Sequence, residues 1–464
     1  MDMSNTARES ALCILNTLDK KPLTLDTVMN DFTEAHPKLD KRDQALVHAL
    51  VYGVLRWRGN LDHVIGHFSK TPLDKINPEI LNILRMGVFQ IRFLSKIPES
   101  AAVNTSVELA KKNAPAWVVK FVNGVLRTVV RTPEVPFPDP EQNLSLSISL
   151  TRSFPIWLVQ KWLDRFGEEE TVTLCDHLNT IPEISIRVNR LKTDRDALKQ
   201  ALSPHVTDLT ETLCSPDGLS FHHPDRPIFL LPTFAEGGFQ VQDEGAQLVS
   251  LVLAPKPFER VLDACAGLGG KTGHLAQLMN NQGEILAIDH DPAKLTSLAN
   301  DMTRLGVTLV ETRAMDLEKP EHIESLGLFD RILLDAPCSG MGVIRRNPDS
   351  KWSLTKKNLN RYKKRQVRLL STVSDLLKPG GLLVYAVCST EPEENEAVID
   401  SFLHSHPEIA LVTDTEDLPE AVRPLRTLRG CLMSHPHRHH MDGFFIARLR
   451  RVATNGRTDH KEVL

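Results

Sequence analysis

The chain has 464 residues, of which 41% are hydrophobic and 5% aromatic, and a formal net charge of −4 at pH 7. That length allows roughly two to four folded domains, with too few aromatic rings for a surface built on base stacking. No apolar run approaches the ~18 residues that begin to suggest a membrane span, and MDMSNTARES lacks the charged and apolar regions of a secretion signal.

Residues 4–131 read as consecutive amphipathic helices with few strand signals, LDKINPEILNILRMGVFQIRFL among them. Their basic residues Lys41, Arg42, Arg56, Arg58, Lys111 and Lys112 are scattered, which suits a solvated surface as well as an RNA face. TPEVPFPDP is too rich in proline for a helix and reads as a linker. Residues 141–235 hold two helical stretches around SFPIWLVQKWLDRF and a strand-like ISIRVN, predicting a small α/β unit. A doubly wound part is expected from residue 236 to 450, starting near Phe239-Gln240-Val241-Gln242-Asp243. The polar residues 451–464 read as a mobile tail.

Residues 261–275, VLDACAGLGGKTGHL, run a short apolar strand into a glycine-rich turn. A phosphate-binding P-loop would need glycine where Cys265 stands, and a dinucleotide fingerprint would need it at Thr272. Both frames fail. What remains is a strand, a tight turn and a helix N-terminus, where Gly267, Gly269 and Gly270 let the backbone approach a ligand carboxylate. The next strand, EILAID, delivers Asp289, an acid suited to ribose hydroxyls, and Asp291-Pro292 then opens a helix. Carboxylate and ribose together suit S-adenosylmethionine. The plain alternative is a glycine turn that only packs a helix on a sheet.

FDRILLDAPCSGMG brings Asp335, Pro337 and Cys338 to the carboxyl edge of the same sheet, where open α/β folds bind ligands. LLKPGGLLVYAVCSTEPEEN repeats the arrangement with Cys388. A cysteine at that edge is a candidate nucleophile, whereas Cys13, Cys175 and Cys214 read as small hydrophobes. Seven cysteines without dense spacing suit a reducing cytosol better than a disulfide scaffold. Between 345 and 368 lies a basic run that includes Arg345, Arg346, Lys351, Lys356, Lys357 and Arg361. Leu359, Tyr362, Leu369, Leu370 and Val373 fall at helical spacing within it, so it reads as a helix with a core face and a phosphate-binding face. Acids dominate from Glu391 to Glu420. Cys431, His435, His437, His439 and His440 lack a metal-ligand framework and read as a polar loop before the strand GFFIARL, so no metal is expected.

DACAGLGGKT, then Asp289, LLDAPCSG and YAVCSTEPEEN together resemble the RNA cytosine-C5 methyltransferases, and within them the bacterial Fmu/Sun/RsmB enzymes of small-subunit ribosomal RNA. PESAAVNTSVELAKK, FVNGVLR, SFPIWLVQKWLDRFG and GVIRRNPDSKW extend the likeness over nearly the whole chain. The resemblance implies an all-α NusB-like domain over 1–140, a small α/β middle domain over 141–235, and a Rossmann-like methyltransferase domain over 236–450. For S-adenosylmethionine it implies Cys265, Ala266, Gly267, Leu268, Gly269, Gly270 and Lys271 at the methionine end, Asp289 at the ribose, Asp316 near the adenine and Asp335 near the reacting methyl. DNA cytosine methyltransferases attack with the cysteine of a Pro-Cys pair such as Pro337-Cys338, so the residues alone leave the nucleophile open. The resemblance assigns attack to Cys388 and assistance in release to Cys338, with Asp335 and Lys271 beside them. Two positions depart from the family pattern: Gly267-Leu268 stands where Ala-Pro is usual, and Val387 replaces a threonine before the nucleophile.

The expected activity is methylation of a 16S ribosomal RNA cytosine at C5 through a cysteine–C6 adduct. The expected enzyme is a cytoplasmic monomer that meets naked or partly assembled RNA and no membrane. The rivals are a transfer-RNA cytosine methyltransferase with the same chemistry, and a non-catalytic assembly factor that binds RNA on a methyltransferase fold.

Overall fold

Thr6, Thr24 and Asp40 each accept a backbone N–H three residues ahead, starting the helices Ala7–Lys20, Leu25–Ala35 and Lys41–Phe68. Asn77 caps Pro78–Phe93, whose first residue is the proline that a helix start tolerates. Helices Glu99–Asn113, Ala116–Arg131, Leu144–Arg152 and Ile156–Leu178 follow, the last broken at Gly167 where φ is +76°. Apolar residues at helical spacing, such as Val47, Leu50, Val54, Leu84 and Leu126, close one core. Gly53 is required there, because a Cβ would run into the Phe89 ring.

This computed structural model describes residues 6–36, 40–319, 323–414, 416 and 418–452. The chain forms two compact units, Met1–Ile181 with Ile344–Ser353, and Pro182–Val343 with Leu354–Leu464. The first unit therefore extends past the expected limit at residue 140. Hydrogen bonds explain it: the Asn60 amide donates to the Leu150 carbonyl at 3.1 Å, and the Gly59 N–H to Ser153 Oγ at 2.8 Å.

Ile344–Ser353 corrects part of the expected basic face. Lys351 is 0% exposed; its Nζ donates to the Arg56 carbonyl at 2.8 Å and lies 3.9 Å from the Phe154 ring centroid. Burial, then the Arg56 charge, pushes the Lys351 ammonium well below its usual value. Arg345 is also buried, and its carbonyl accepts from Arg56 Nη2 at 2.8 Å. Neither side chain is available to a phosphate. Their neighbours in sequence did not indicate that this stretch packs among helices drawn from the first 181 residues.

The second unit holds two sheets. Strands β1 (Ile184–Val188), β2 (Thr207–Glu211), β3 (Gly218–His222) and β4 (Phe239–Val241) form an antiparallel sheet in the order β2-β3-β1-β4, packed on the helix Arg195–Leu202. The expected start of the doubly wound part thus belongs to this smaller sheet, since Phe239 and Val241 pair with Val188 and Ile186.

The larger sheet contains β5 (Arg260–Asp263), β6 (Glu284–Asp289), β7 (Val310–Ala314), β8 (Phe329–Asp335), β9 (Leu377–Val387), β10 (Ile409–Leu411), β11 (Leu432–Met433) and β12 (Phe445–Arg451). Its order is β10-β12-β9-β8-β5-β6-β7, with β11 on β12. β5 to β9 run parallel, the inner strands β5, β6, β8 and β9 carrying the buried apolar runs and the edge strand β7 a polar one, whereas β12 pairs antiparallel with β9. The chain winds outward from β5 through β6 to β7, then returns to the other side of β5 as β8. That reversal opens the crevice at which the carboxyl ends of β5 and β8 meet. Pro436–His439 is a short helix rather than a plain polar loop, and Cys13 is exposed. Of the expected tail, residues 453–464 lie outside the described residues.

Candidate active site

β5 ends in Asp263, and the chain turns through Gly267 (φ +56°) and Gly269 (φ +85°) into the helix Gly270–Leu278. At Gly269 a Cβ would meet Leu298 Cγ at 2.5 Å; beside Gly267 it would meet nothing within 4 Å. The turn is thus tight against the protein at one glycine and open at the other. The end of β6 holds its shape: the Ala266 N–H donates to the Ile288 carbonyl at 2.9 Å, and the Gly267 N–H to Asp289 Oδ2 at 3.0 Å. From below, buried Arg187 on β1 donates to the Gly270 carbonyl at 2.7 Å and to Gln242. Asp289 also accepts from the Asp291 N–H, so the acid at the end of β6 is oriented by backbone on both sides. Asp316 lies two residues past β7, in a turn joined to β6 where the Met315 N–H donates to the Asp289 carbonyl at 3.0 Å. Cys265 lies in the turn, and burial, then the charge of Asp263, pushes its thiol up, which suits backbone contact better than reaction.

Lys271 Nζ pairs with Asp335 Oδ2 at 2.6 Å, joining the glycine turn to the end of β8. Burial opposes the Lys271 ammonium, but Asp335, then Cys388 and Asp263, outweigh it and raise its pKa. Cys388, one residue past β9, lies within electrostatic reach of that charge. β8 and β9 are parallel neighbours with Asp335 beside Ala386, so their following loops emerge together. The Cys338 and Cys388 sulfurs are 3.2 Å apart. The hydrogen bond to Cys388, then burial, pushes the Cys338 thiol well above its ordinary range, with Cys388 and Glu394 adding to it.

The basic helix Lys356–Ser374 buries Leu359, Gln366, Leu369, Leu370 and Val373, and leaves Lys356, Lys357 and Arg361 exposed. Arg346 belongs with Arg345 and Lys351 to the helical unit.

Two groups had no place in the sequence reading. Asp263 is buried; Thr272 donates to its Oδ2 at 2.7 Å, and its Oδ1 has no hydrogen-bond partner among the described residues. Burial pushes this carboxyl up to about 7, the Thr272 bond opposing. Because the native pKa is raised, the folded chain keeps a proton that the unfolded chain loses above about pH 4. The resulting penalty is absent below that pH and complete above about pH 7. Asp263→Asn therefore raises the melting temperature at pH 8 by ~5 °C or more, and the gain shrinks as pH falls toward 5. Calorimetry across that range checks it; an equal gain at every pH would refute it. The second group is Glu394, read in sequence as part of an acidic stretch, yet buried together with Glu391. An acid between Pro392 and the helix start at Glu396 gives no periodic signal of burial.

Residues 250–450 match the family model for 16S rRNA methyltransferase RsmB/F. Residues 5–131 match the NusB family, and 154–227 match the ferredoxin-like domain of RsmF/B-like methyltransferases. A probable ribosomal RNA small subunit methyltransferase B of Synechocystis sp. is 38% identical over 96% of this chain and 100% of its own length. Its counterpart in Bacillus subtilis is 34% identical over 96% and 99%. The crystal structure of a methyltransferase homolog protein from Pyrococcus horikoshii is 30% identical, with a TM-score of 0.57, covering 67% of this chain and 99% of that one.

Proposed function

The chain belongs to the RsmB/F family of 16S rRNA methyltransferases, and on that premise we propose that it methylates C5 of a cytosine in small-subunit ribosomal RNA, with S-adenosylmethionine as donor and Cys388 as nucleophile. The observation that carries this reading is the sulfur pair: two cysteines 3.2 Å apart, at the tips of adjacent parallel strands, beside the Lys271–Asp335 ion pair.

The donor fits the residues present. The unpartnered Asp263 Oδ1 suits an ammonium group, the open backbone at Gly267 suits a carboxylate, and the oriented Asp289 suits ribose hydroxyls. Cys265 to Lys271 would hold the methionine end, Asp289 the ribose and Asp316 the adenine edge. When bound, S-adenosylmethionine supplies an electrophilic methyl on a sulfonium.

C5 of cytosine is too poor a nucleophile to take that methyl unaided. Attack by the Cys388 thiolate forms a sulfur–C6 bond and moves the C5=C6 electron pair onto C5, which becomes enamine-like. The Lys271 ammonium favours the thiolate, and Asp335 hydrogen-bonds the N3/N4 edge as N3 takes up the proton that the Cys388 thiol gave up, a proton that passes from N3 to solvent when the adduct breaks down. After methylation the C5 proton must leave and the C6–S bond must break. Cys338, held as a thiol, gives its proton to the departing Cys388 sulfur and takes the one from C5, ending as it began. The target base must be splayed from any stem, which favours naked or partly assembled RNA. Lys356, Lys357 and Arg361 are the exposed cations suited to its phosphates.

Tritiated methyl transfer to 16S RNA from cells lacking this protein, with bisulfite mapping, tests the assignment. Label in one 5-methylcytosine of that RNA is expected; label in transfer RNA, on adenine, or nowhere defeats it. In the same assay, changing Lys356, Lys357 and Arg361 together to glutamine should raise KM for RNA ~10-fold and spare kcat.

A further inference from the structure

We propose that Glu394 is a positioning residue of this site, a buried carboxylate clamp that fixes the two cysteine loops side by side. The inference rests on the reading of Cys388 and Cys338 given above and deepens it.

Glu394 lies six residues past Cys388 and is 0% exposed. Its Oε1 accepts from the Ser339 N–H at 2.8 Å and from Gln366 Nε2 at 3.0 Å. Its Oε2 accepts from Ser389 Oγ at 2.6 Å and from Ser339 Oγ. Ser339 follows Cys338, and Ser389 follows Cys388, so one carboxylate is bonded to the residue after each sulfur. Gln366 extends the tie, since the same amide nitrogen donates to the carbonyl of Pro337, the residue before Cys338, at 3.0 Å. The carboxylate is itself held, because the Tyr385 hydroxyl on β9 donates to the Glu394 carbonyl at 2.7 Å.

Burial pushes the Glu394 carboxyl above its ordinary range while the bonds from Ser339, Ser389 and Gln366 oppose that rise; in its carboxylate form it has the lone pairs to receive all these donors at once. Burying such a group is costly, and apolar packing would hold two loops together at less expense. What the carboxylate adds is direction. Each bond has a preferred angle, so the loops can neither slide nor rotate past each other without breaking several together. The sulfurs must be placed on one base with little tolerance, since a misplacement of about 1 Å can cost ~100-fold in rate. Glu394 reaches neither sulfur by hydrogen bond; it acts through Ser339, Ser389 and Gln366.

The test compares Glu394→Gln, Glu394→Asp and Gln366→Met in the full chain. Glu394→Gln keeps the size and lets an NH₂ face two hydroxyls; Glu394→Asp keeps the charge but falls short by one carbon. Both should lower kcat ~100-fold, with KM for RNA and the dissociation constant for S-adenosylmethionine within about twofold of wild type. Gln366→Met, which removes one donor and leaves the carboxylate in place, should lower kcat ~10-fold, and it decides the matter if the Glu394 variants fail to fold. A kcat within about threefold of wild type in a folded Glu394 variant overturns the proposal. So does full recovery in Glu394→Asp, or a loss of cofactor affinity as large as the loss of kcat. Adding Cys338→Ala separates this proposal from the reading beneath it. If Cys338→Ala alone accumulates adduct and the double variant with Glu394→Gln forms it at an equal rate, the clamp is wrong. If Cys338→Ala alone forms none, the roles of the cysteines are wrong instead.

Discussion

Cys388→Ala is expected to abolish methyl transfer, by at least ~10⁴-fold, and to form no covalent species with RNA, while Cys338→Ala leaves a protein–RNA adduct that survives a denaturing gel. The two outcomes differ because the proposed path crosses the sulfurs in sequence. Without Cys388 nothing adds to C6, so C5 never becomes nucleophilic and the bound methyl donor has no partner. Without Cys338 the addition still proceeds, and so does methylation, but no proton reaches the leaving sulfur and none is taken from C5. The chain then stays joined to its product. The pKa direction supports this order: Cys338 is pushed up by its bond to Cys388, then by burial, and remains a proton carrier. Its sulfur also stands within reach of the other, at 3.2 Å. The measurement is a gel shift of radiolabelled RNA with each variant, with and without S-adenosylmethionine. An adduct seen only with Cys388→Ala would exchange the roles and make the Pro-Cys cysteine the nucleophile.

Much of this was legible in the chain because local rules and tertiary structure agree there. EILAID is a strand over Glu284–Asp289, and Asp291-Pro292 opens a helix as its letters suggest, the aspartate accepting the Ala293 N–H. The two cysteines could be placed at one sheet edge because each follows an apolar parallel strand and side chains at strand tips have little freedom of address. What was illegible depends on partners remote in sequence. Lys351 looks like one more exposed cation until the Arg56 carbonyl, 295 positions away, accepts its hydrogen bond. Glu394 looks like surface until its acceptors are filled by Ser339 and Gln366, 55 and 28 positions away. Phe239–Val241 reads as the start of the doubly wound part; only pairing with Ile186 and Val188 assigns it to the smaller sheet. Periodicity reports which face is apolar. It does not report which buried polar group has found its partner.

The ion pair beneath the sulfurs supplies the other large effect. Asp335→Asn should lower kcat ~1,000-fold while changing KM for RNA little, because it removes an interaction that grows as charge develops on the base. Two consequences act in the same direction. The cytosine N3 gains a proton as the adduct forms, and an amide stabilises that cation far less than a carboxylate does. Meanwhile Lys271 loses its partner at 2.6 Å in a site where Lys271 is 14% exposed and Asp335 29% exposed. An ammonium so placed is then underpaired, and its pKa, held up by Asp335 against burial, should fall. A lysine held less firmly as ammonium favours the Cys388 thiolate less, so adduct formation itself should slow. This gives the substitution a signature that distinguishes it from simple loss of a base contact. In a Cys338→Ala background, where the adduct accumulates, adding Asp335→Asn should slow adduct appearance. Lys271→Met, which removes the cation and leaves Asp335 in place, should also slow it, by a smaller factor. Equal adduct rates with and without Asp335 would confine its role to a step after attack and remove the ion pair from the activation of the thiol.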